Sequence, residues 1–239
     1  MHNSKLFAAE LFGEKQTNLW IEPIETIVII DAGHGGLDSA GRYTTNPKIG
    51  KFFDHKNKDL SFHGIAQNSI FYEGLFNRIV ARKLAYCLAQ LGIRTLKCYD
   101  DVFDLSLTSR TNVCNSYHRQ FDNNTIVLSL HANAGGGKGS EIFTSLGETK
   151  SDILADFVAK SIAPTLSRFD RPFRRGSATS ADKDRALAMV TNTIAPAILC
   201  EFDFFDTLEG AKQLDTAAYQ NAMCEAKARG VYQYLIAQK

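Results

Sequence analysis

The sequence has no surplus of charge of either sign, no long apolar run and no paired-cysteine motif. Its 239 residues include 27 Lys and Arg against 26 Asp and Glu, giving a net charge of +1. This balance excludes the basic surface typical of nucleic-acid-binding proteins. No stretch approaches the roughly 18 apolar residues of a membrane-spanning helix, and no lipidation motif is present. We therefore expect no nucleic-acid partner and no integral membrane segment, and no protein partner is evident.

The cysteines indicate a chain that folds without disulfide bonds. There are five of them, an odd number, without a C-x-x-C motif, and several lie in apolar runs. A thiol in that setting behaves as a small buried hydrophobic group, which fits synthesis in the reducing cytoplasm. Glu10 interrupts the only apolar patch near the N-terminus, so no secretory signal is visible. We expect an N-terminal extension over residues 1–24 and one domain over residues 25–239.

Apolar runs alternate with helical periods along the chain, which predicts an α/β fold with a largely parallel, twisted sheet flanked by helices. The strands are predicted over residues 26–31, 93–99, 125–130, 141–145 and 197–202. The helices are predicted over residues 73–91, 107–117, 152–166 and from 209 to the C-terminus. Residues 38–72 follow no period and predict a long irregular loop, which could be functional or a surface excursion.

Candidate functional residues follow three of the predicted strands. His34 follows the first strand in AGHGG, His131 ends TIVLSLH, and Glu201 ends AILCE. The carboxyl ends of parallel strands meet at one edge of a sheet, so these side chains are expected to converge there. Glu73 begins the long helix and supplies a second carboxylate. Two histidines and one carboxylate with a further carboxylate as general base form a typical catalytic zinc set.

Each of these residues also has a structural interpretation. A single histidine after a strand often only satisfies local hydrogen bonds, and Glu73 could simply interact with the positive end of the helix dipole. Glu201 is harder to explain in this way, because a buried carboxylate is costly unless it is paired or used. The segment GGGKGS is not a phosphate-binding loop, because Gly139 follows Lys138 where that motif requires Ser or Thr.

Five segments together resemble the zinc-dependent N-acetylmuramoyl-L-alanine amidases of the amidase type 3 family. They are IIDAGHGGLD, YEGLFNRIVARKLAYCL, LTSRTN, VLSLHANA and APAILCEFDFF, and the resemblance covers residues 26–236. It implies one zinc ion per chain held by His34, Glu73 and His131, with Glu201 as the catalytic residue. The implied reaction is hydrolysis of the bond between N-acetylmuramic acid and L-alanine in peptidoglycan.

The chain departs from the family pattern beside the catalytic glutamate and before the second ligand. Asp203 stands where the family's E-x-G-F segment has glycine. The interval between His34 and Glu73 is longer than in compact members and contains alternative ligands. These alternatives are His55, Asp59 and His63. Glu73 remains the predicted ligand, because the sequence after it matches the family's helix.

Three further residues and one loop have candidate roles. Asn133 is expected to orient substrate or to hold the ligand-bearing segment, whereas Asn77 and Arg110 are interpreted as structural. The arginines of RFDRPFRRGS, residues 168–177, could contact acidic groups of the stem peptide, but a solvated loop is the preferred interpretation.

Three functions stay open on the sequence alone. The first is the amidase, the second is a zinc peptidase acting within the stem peptide, and the third is a non-catalytic peptidoglycan-binding module. Without a visible signal, the chain is expected to reach the cell wall after release through a separate membrane lesion, as a phage or prophage endolysin does.

Overall fold

A computed structural model of the chain describes residues 24–238. Residues 1–23, which make up nearly all of the predicted extension, lie outside the described range. The strands of the described part are β1 (Ile27–Ala32), β2 (Phe52–Asp54), β3 (Ile70–Tyr72), β4 (Thr95–Lys97), β5 (Thr125–Asn133), β6 (Glu141–Thr144), β7 (Lys183–Asp184) and β8 (Ala197–Phe204). Its α-helices are α1 (Glu73–Gln90), α2 (Leu107–Gln120), α3 (Lys150–Arg168), α4 (Ala188–Thr191), α5 (Leu208–Leu214) and α6 (Ala217–Ala237).

Six of these strands form one sheet in the order β4-β1-β5-β8-β6-β7. The neighbours β4, β1, β5 and β8 are parallel to one another, and β6 runs antiparallel to β8. Every residue of β1 is buried, as its unbroken apolar run predicts for a strand covered on both faces. The largely parallel α/β sheet expected from the sequence is therefore confirmed.

Helices cover both faces of the sheet. Val28 and Ile30 of β1 belong to the larger core, which is closed by α1, α3 and α6. Ile29 points the other way, into a smaller core closed by α2 and α4. This alternation is the period of two expected of a strand between two helical layers. All five cysteines are buried and free, as their apolar surroundings predicted.

Two parts of the chain differ from the sequence-based expectation. Residues 38–72 are not one irregular loop, because β2 and β3 pair there as an antiparallel hairpin. The predicted C-terminal helix is interrupted: α5 ends before Asp215, and the Thr216 side chain caps the start of α6. A hydroxyl that accepts from the first turn is a common helix start, so the break is local. In residues 24–238, no helix is long and apolar enough to cross a membrane.

Candidate active site

The segment after β1 carries His34 in a conformation that few non-glycine residues adopt. Its φ is 64°, in the left-handed region. The His34 carbonyl accepts hydrogen bonds from two buried guanidinium groups, of Arg78 and Arg110, each at 2.8 Å. Strained backbone of this kind persists where the surroundings fix it, and it is concentrated at functional sites.

Two glycines allow the elements that carry the site to approach closely. A Cβ on Gly33 would lie 2.0 Å from Cε1 of His131. A Cβ on Gly74, in the first turn of α1, would lie 1.9 Å from the carbonyl oxygen of Gly35. Both distances are far below contact distance, so a larger side chain would displace the His131 imidazole at the first position and would separate α1 from the His34 segment at the second.

The fold brings together the three residues predicted as metal ligands. One ligand atom from each of His34, Glu73 and His131 lies within 4.8 Å of the others. Oε1 of Glu73 is 2.9 Å from Nδ1 of His131 and 3.4 Å from Nε2 of His34. Nε2 of His34 and Oε2 of Glu73 are buried and form no hydrogen bond in the described structure. Buried atoms left in this state, in a His-Glu-His donor set, fit a zinc ion.

The site is electrostatically coupled. Burial alone would raise the pKa of Glu73, but the imidazoles of His34 and His131 outweigh it and hold that pKa well below its usual range. Burial would lower the pKa of His131, but its hydrogen bond to Glu73 and the Glu73 charge raise it. Lys51 adds a positive charge, with Nζ 3.5 Å from Oε2 of Glu73. Glu73 is therefore a carboxylate next to two imidazoles, of His34 and His131, and the ammonium group of Lys51.

Glu201 lies on the strand next to His131. The two residues are direct partners in the parallel pairing of β5 and β8, so their side chains stand on the same face. Both lie within their strands, which continue two or three residues further than predicted. Burial, reinforced by the negative charge of Glu73, raises the pKa of Glu201 to about 7, and Oε2 has no hydrogen-bond partner. A carboxyl group that titrates near neutrality can both accept and return a proton.

Asn133 holds the end of β5 to β6. Its Nδ2 donates to Oε1 of Glu141 at 2.5 Å, and its Oδ1 accepts from the backbone of Ala134. With both polar atoms of its amide engaged within the protein, Asn133 is placed to hold the ligand-bearing segment. Glu141 is the partner of Glu201 in the antiparallel pairing of β6 and β8. The sequence pattern does not single out this residue.

Asp203, which stands where the resemblance implies a glycine, is fully buried and contacts two loops. Its Oδ1 accepts from the backbone N–H of Gly139 at 2.9 Å, and its Oδ2 lies 3.0 Å from Nε of Arg171. Ser140, next to Gly139, donates its hydroxyl to the carbonyl of Glu201. The expected solvated arginine loop is therefore wrong for Arg171, which is only 5% exposed and is held by the buried Asp203.

The three alternative ligands do not join the cluster. Nε2 of His55 is 3.0 Å from the carbonyl oxygen of Phe205, and Asp59 is exposed. His63 is buried in the hairpin region, where its Nε2 accepts from the backbone N–H of Tyr72. The long interval between the first two predicted ligands thus forms a hairpin beside the site and supplies Lys51 to it.

His63 is expected to make stability depend on pH. Burial lowers its pKa to about 4, whereas an unfolded histidine titrates near 6.5. Because the unfolded chain binds the proton more tightly, stability falls as the pH drops from about 6.5 towards 4, by up to a few kcal/mol. Urea unfolding at pH 7.0 and 4.5 should show a smaller loss for His63→Gln than for the wild type. Equal losses in both proteins would contradict this assignment.

Two buried arginines hydrogen-bond the backbone of the His34 segment, and the sequence does not single out one of them, Arg78. Arg110 pairs with Asp31 at 2.6 Å and agrees with the structural interpretation made from the sequence. Arg78 donates to the backbone carbonyls of the His34 segment and of Asp100 and Asp101. Arg78 follows Asn77 in the second turn of α1, and Asn77 donates to the carbonyl of Gly33.

A cavity of about 440 Å³ opens beside the two histidines on the β1 side. Its wall includes Asn46 and Ile49 from the segment before β2, and Asp104 and Leu107 from the segment that leads into α2. The site therefore has room for a ligand on one side of the His-Glu-His cluster and Glu201 on the other.

Known proteins share both the sequence pattern and the fold. The family model described as N-acetylmuramoyl-L-alanine amidase matches residues 28–233. The N-acetylmuramoyl-L-alanine amidase CwlM of Bacillus licheniformis is 31% identical over 133 residues, which are 53% of this chain and 45% of that protein. The sporulation-specific N-acetylmuramoyl-L-alanine amidase of Bacillus subtilis (strain 168) is 25% identical over 211 residues, 86% of this chain and 67% of the relative. The match to CwlM thus spans less than half of that relative.

Solved structures agree on the fold. An N-acetylmuramoyl-L-alanine amidase from Clostridium difficile 630 superimposes with a TM-score of 0.66 at 23% identity, covering 90% of this chain and 98% of the other. The catalytic domain of CwlV from Bacillus (Paenibacillus) polymyxa gives a TM-score of 0.61 at 21% identity, covering 88% and 98%. With a family match over most of its length and this fold, the chain belongs to the N-acetylmuramoyl-L-alanine amidase family.

Proposed function

We propose that this chain is a zinc-dependent amidase that hydrolyses the bond between N-acetylmuramic acid and L-alanine in peptidoglycan. The observation that carries the proposal is the convergence of His34, Glu73 and His131 within 4.8 Å, with Glu201 beside His131 on the next strand. Family membership supports the reaction, and the metal is supported by the buried Nε2 of His34 and Oε2 of Glu73, which form no hydrogen bond in the described structure.

The roles of the residues follow from their positions. His34, Glu73 and His131 would hold the zinc ion, which when bound lowers the pKa of a water molecule to about 7 and polarises a carbonyl group. Glu201 accepts the proton of the attacking water and returns it to the leaving nitrogen of L-alanine. Arg78 and Arg110 fix the backbone of His34, so that the imidazole is already oriented before substrate binds.

The test combines metal content with product analysis. The purified protein is compared with a chelated sample and with the same sample after zinc is returned, and purified cell wall is the substrate. We expect about one zinc ion per chain and release of new L-alanine N-termini that requires the zinc. New D-amino-acid termini would instead indicate a peptidase, and zinc without any digestion would indicate a non-catalytic module.

Changing one ligand should separate the cluster from the alternative histidines. His131→Ala is expected to weaken zinc binding by more than the roughly 10- to 100-fold typical of losing an outer partner of a metal ligand. His55→Gln is the matched control, because the His55 side chain contacts the Phe205 carbonyl and does not join the cluster. Competition titration with a zinc indicator measures both variants. If His55→Gln lost zinc and His131→Ala kept it, the ligand assignment would be wrong.

A further inference from the structure

We propose that Arg174, supported by Lys183, recognises a carboxylate on the peptide part of the substrate. This inference rests on the proposed function, and it names a specificity determinant within that site. Both cations bind the same buried carboxylate, Glu141: Nε of Arg174 is 3.0 Å from its Oε2, and Nζ of Lys183 contacts the same oxygen. Among these three side chains, two positive charges face one negative charge.

This group of three side chains lies in line with the catalytic cluster. His131, Glu201 and Glu141 are successive partners across β5, β8 and β6, so their side chains stand side by side on one face. Neighbouring strands are spaced by about 4.8 Å, so the backbone of Glu141, two strands away, lies roughly 10 Å from the backbone of His131. The cavity beside His34 lies on the opposite side of the cluster. A substrate bound across the cluster would therefore meet the cavity at one end and the cations at the other.

Arg174 is held ready to bind an anion. Its Nε is fixed by Glu141, and its guanidinium carbon lies 5.1 Å from the centre of the Phe204 ring. Its side chain is 40% exposed, and within residues 24–238 its two terminal nitrogens donate no hydrogen bond. A planar guanidinium anchored on one edge presents a fork that fits a carboxylate. Because the fork is fixed before binding, little side-chain entropy is lost on binding.

The chemistry of the substrate selects the peptide as the source of the anion. The lactyl carboxyl group of the glycan is consumed in the scissile amide, whereas a stem peptide carries free carboxylates unless they are amidated. An extended peptide advances about 3.3–3.6 Å per residue. The roughly 10 Å between the backbones of His131 and Glu141 is the length of about three extended residues, so we expect the bound carboxylate to lie a few residues from the scissile bond.

Two muropeptides that differ only in charge test the inference. One carries free carboxylates on its stem peptide, and in the other these are carboxamides. We expect the wild type to cleave the carboxylate form with at least about tenfold higher kcat/KM, chiefly through a lower KM, because hydrogen bonds between charged groups are the stronger ones. Arg174→Gln should remove this preference by slowing cleavage of the carboxylate form only, and Arg174→Lys should restore part of it.

A matched control and a binding measurement keep the outcomes distinct. Arg175→Gln changes the next residue, whose Nε donates to the carbonyl of Ser177, and should leave both rates unchanged. Equal losses on both muropeptides in Arg174→Gln would overturn the inference in favour of a structural role. Calorimetric titration of the two muropeptides into Glu201→Gln tests recognition without turnover. Tighter binding of the carboxylate form supports the inference even if the wild type cleaves neither, which would refute the proposed function alone.

Discussion

Glu201→Gln is expected to retain the fold and bind zinc as the wild type does, but to hydrolyse cell wall about 100- to 10,000-fold more slowly. Glutamine keeps the size of the side chain and removes its ability to accept a proton. Glu201 is placed for this role, since it is beside His131 and has a buried oxygen with no hydrogen-bond partner. Release of L-alanine termini measures the rate, and zinc content is measured on the same preparation.

Glu148→Gln is the control for this experiment, because Glu148 is exposed in the loop before α3. It should leave both the rate and the zinc content unchanged. Glu201→Ala should also keep zinc and lose hydrolysis. This outcome would mean that the effect does not depend on the glutamine amide. Turnover at the wild-type rate in either Glu201 variant would remove this residue from the mechanism.

The second large effect is on stability. Arg110→Met should lower the free energy of unfolding by about 3–5 kcal/mol, because it leaves Asp31 as a buried charge without its cation. Both side chains of the pair are at most 2% exposed, and Ser129 is the remaining donor to Asp31. The same change releases the carbonyl of His34, so zinc binding should weaken as well.

Urea denaturation measures this loss, with Arg119→Met as the matched control. Arg119 is exposed near the end of the same helix, and its replacement should change stability by no more than about 0.5 kcal/mol. Arg110→Lys keeps the charge but not the fork of donors, so its loss of stability should be intermediate. A loss below about 1 kcal/mol in Arg110→Met would mean that the buried pair is not a major support.

Much of the site could be predicted because its residues are tied to local patterns. His34 directly follows an apolar strand and stands between glycines, and Glu73 begins a helix with a clear apolar period. The rule that parallel strands direct their carboxyl ends to one edge then brings distant residues together. Element ends were less predictable: His131 and Glu201 lie inside their strands, because pairing between β5 and β8 continues past the apolar runs.

The supporting contacts could not be predicted in the same way. Arg78 is buried and donates to backbone carbonyl groups. The positions of carbonyl groups depend on the folded backbone, so the pattern of side chains in the sequence does not predict them. Glu141, Arg174 and Lys183 come from three segments, and only the order of β8, β6 and β7 brings them together. The sequence around Arg174 predicts a solvated loop, because no local pattern indicates its partner Glu141, 33 residues earlier in the chain.

The contact between Asp203 and Arg171 constrains which substitutions these two positions can accept one at a time. Among the described residues, replacing Asp203 with glycine would leave the Arg171 guanidinium with the exposed Glu209 as its carboxylate partner. Replacing Arg171 first would leave the fully buried carboxylate of Asp203 without this cation. Either single step leaves a buried charge without its buried partner of opposite sign, whereas the joint replacement does not. The two positions should therefore show strong epistasis, and substitutions at either are expected to be inherited together.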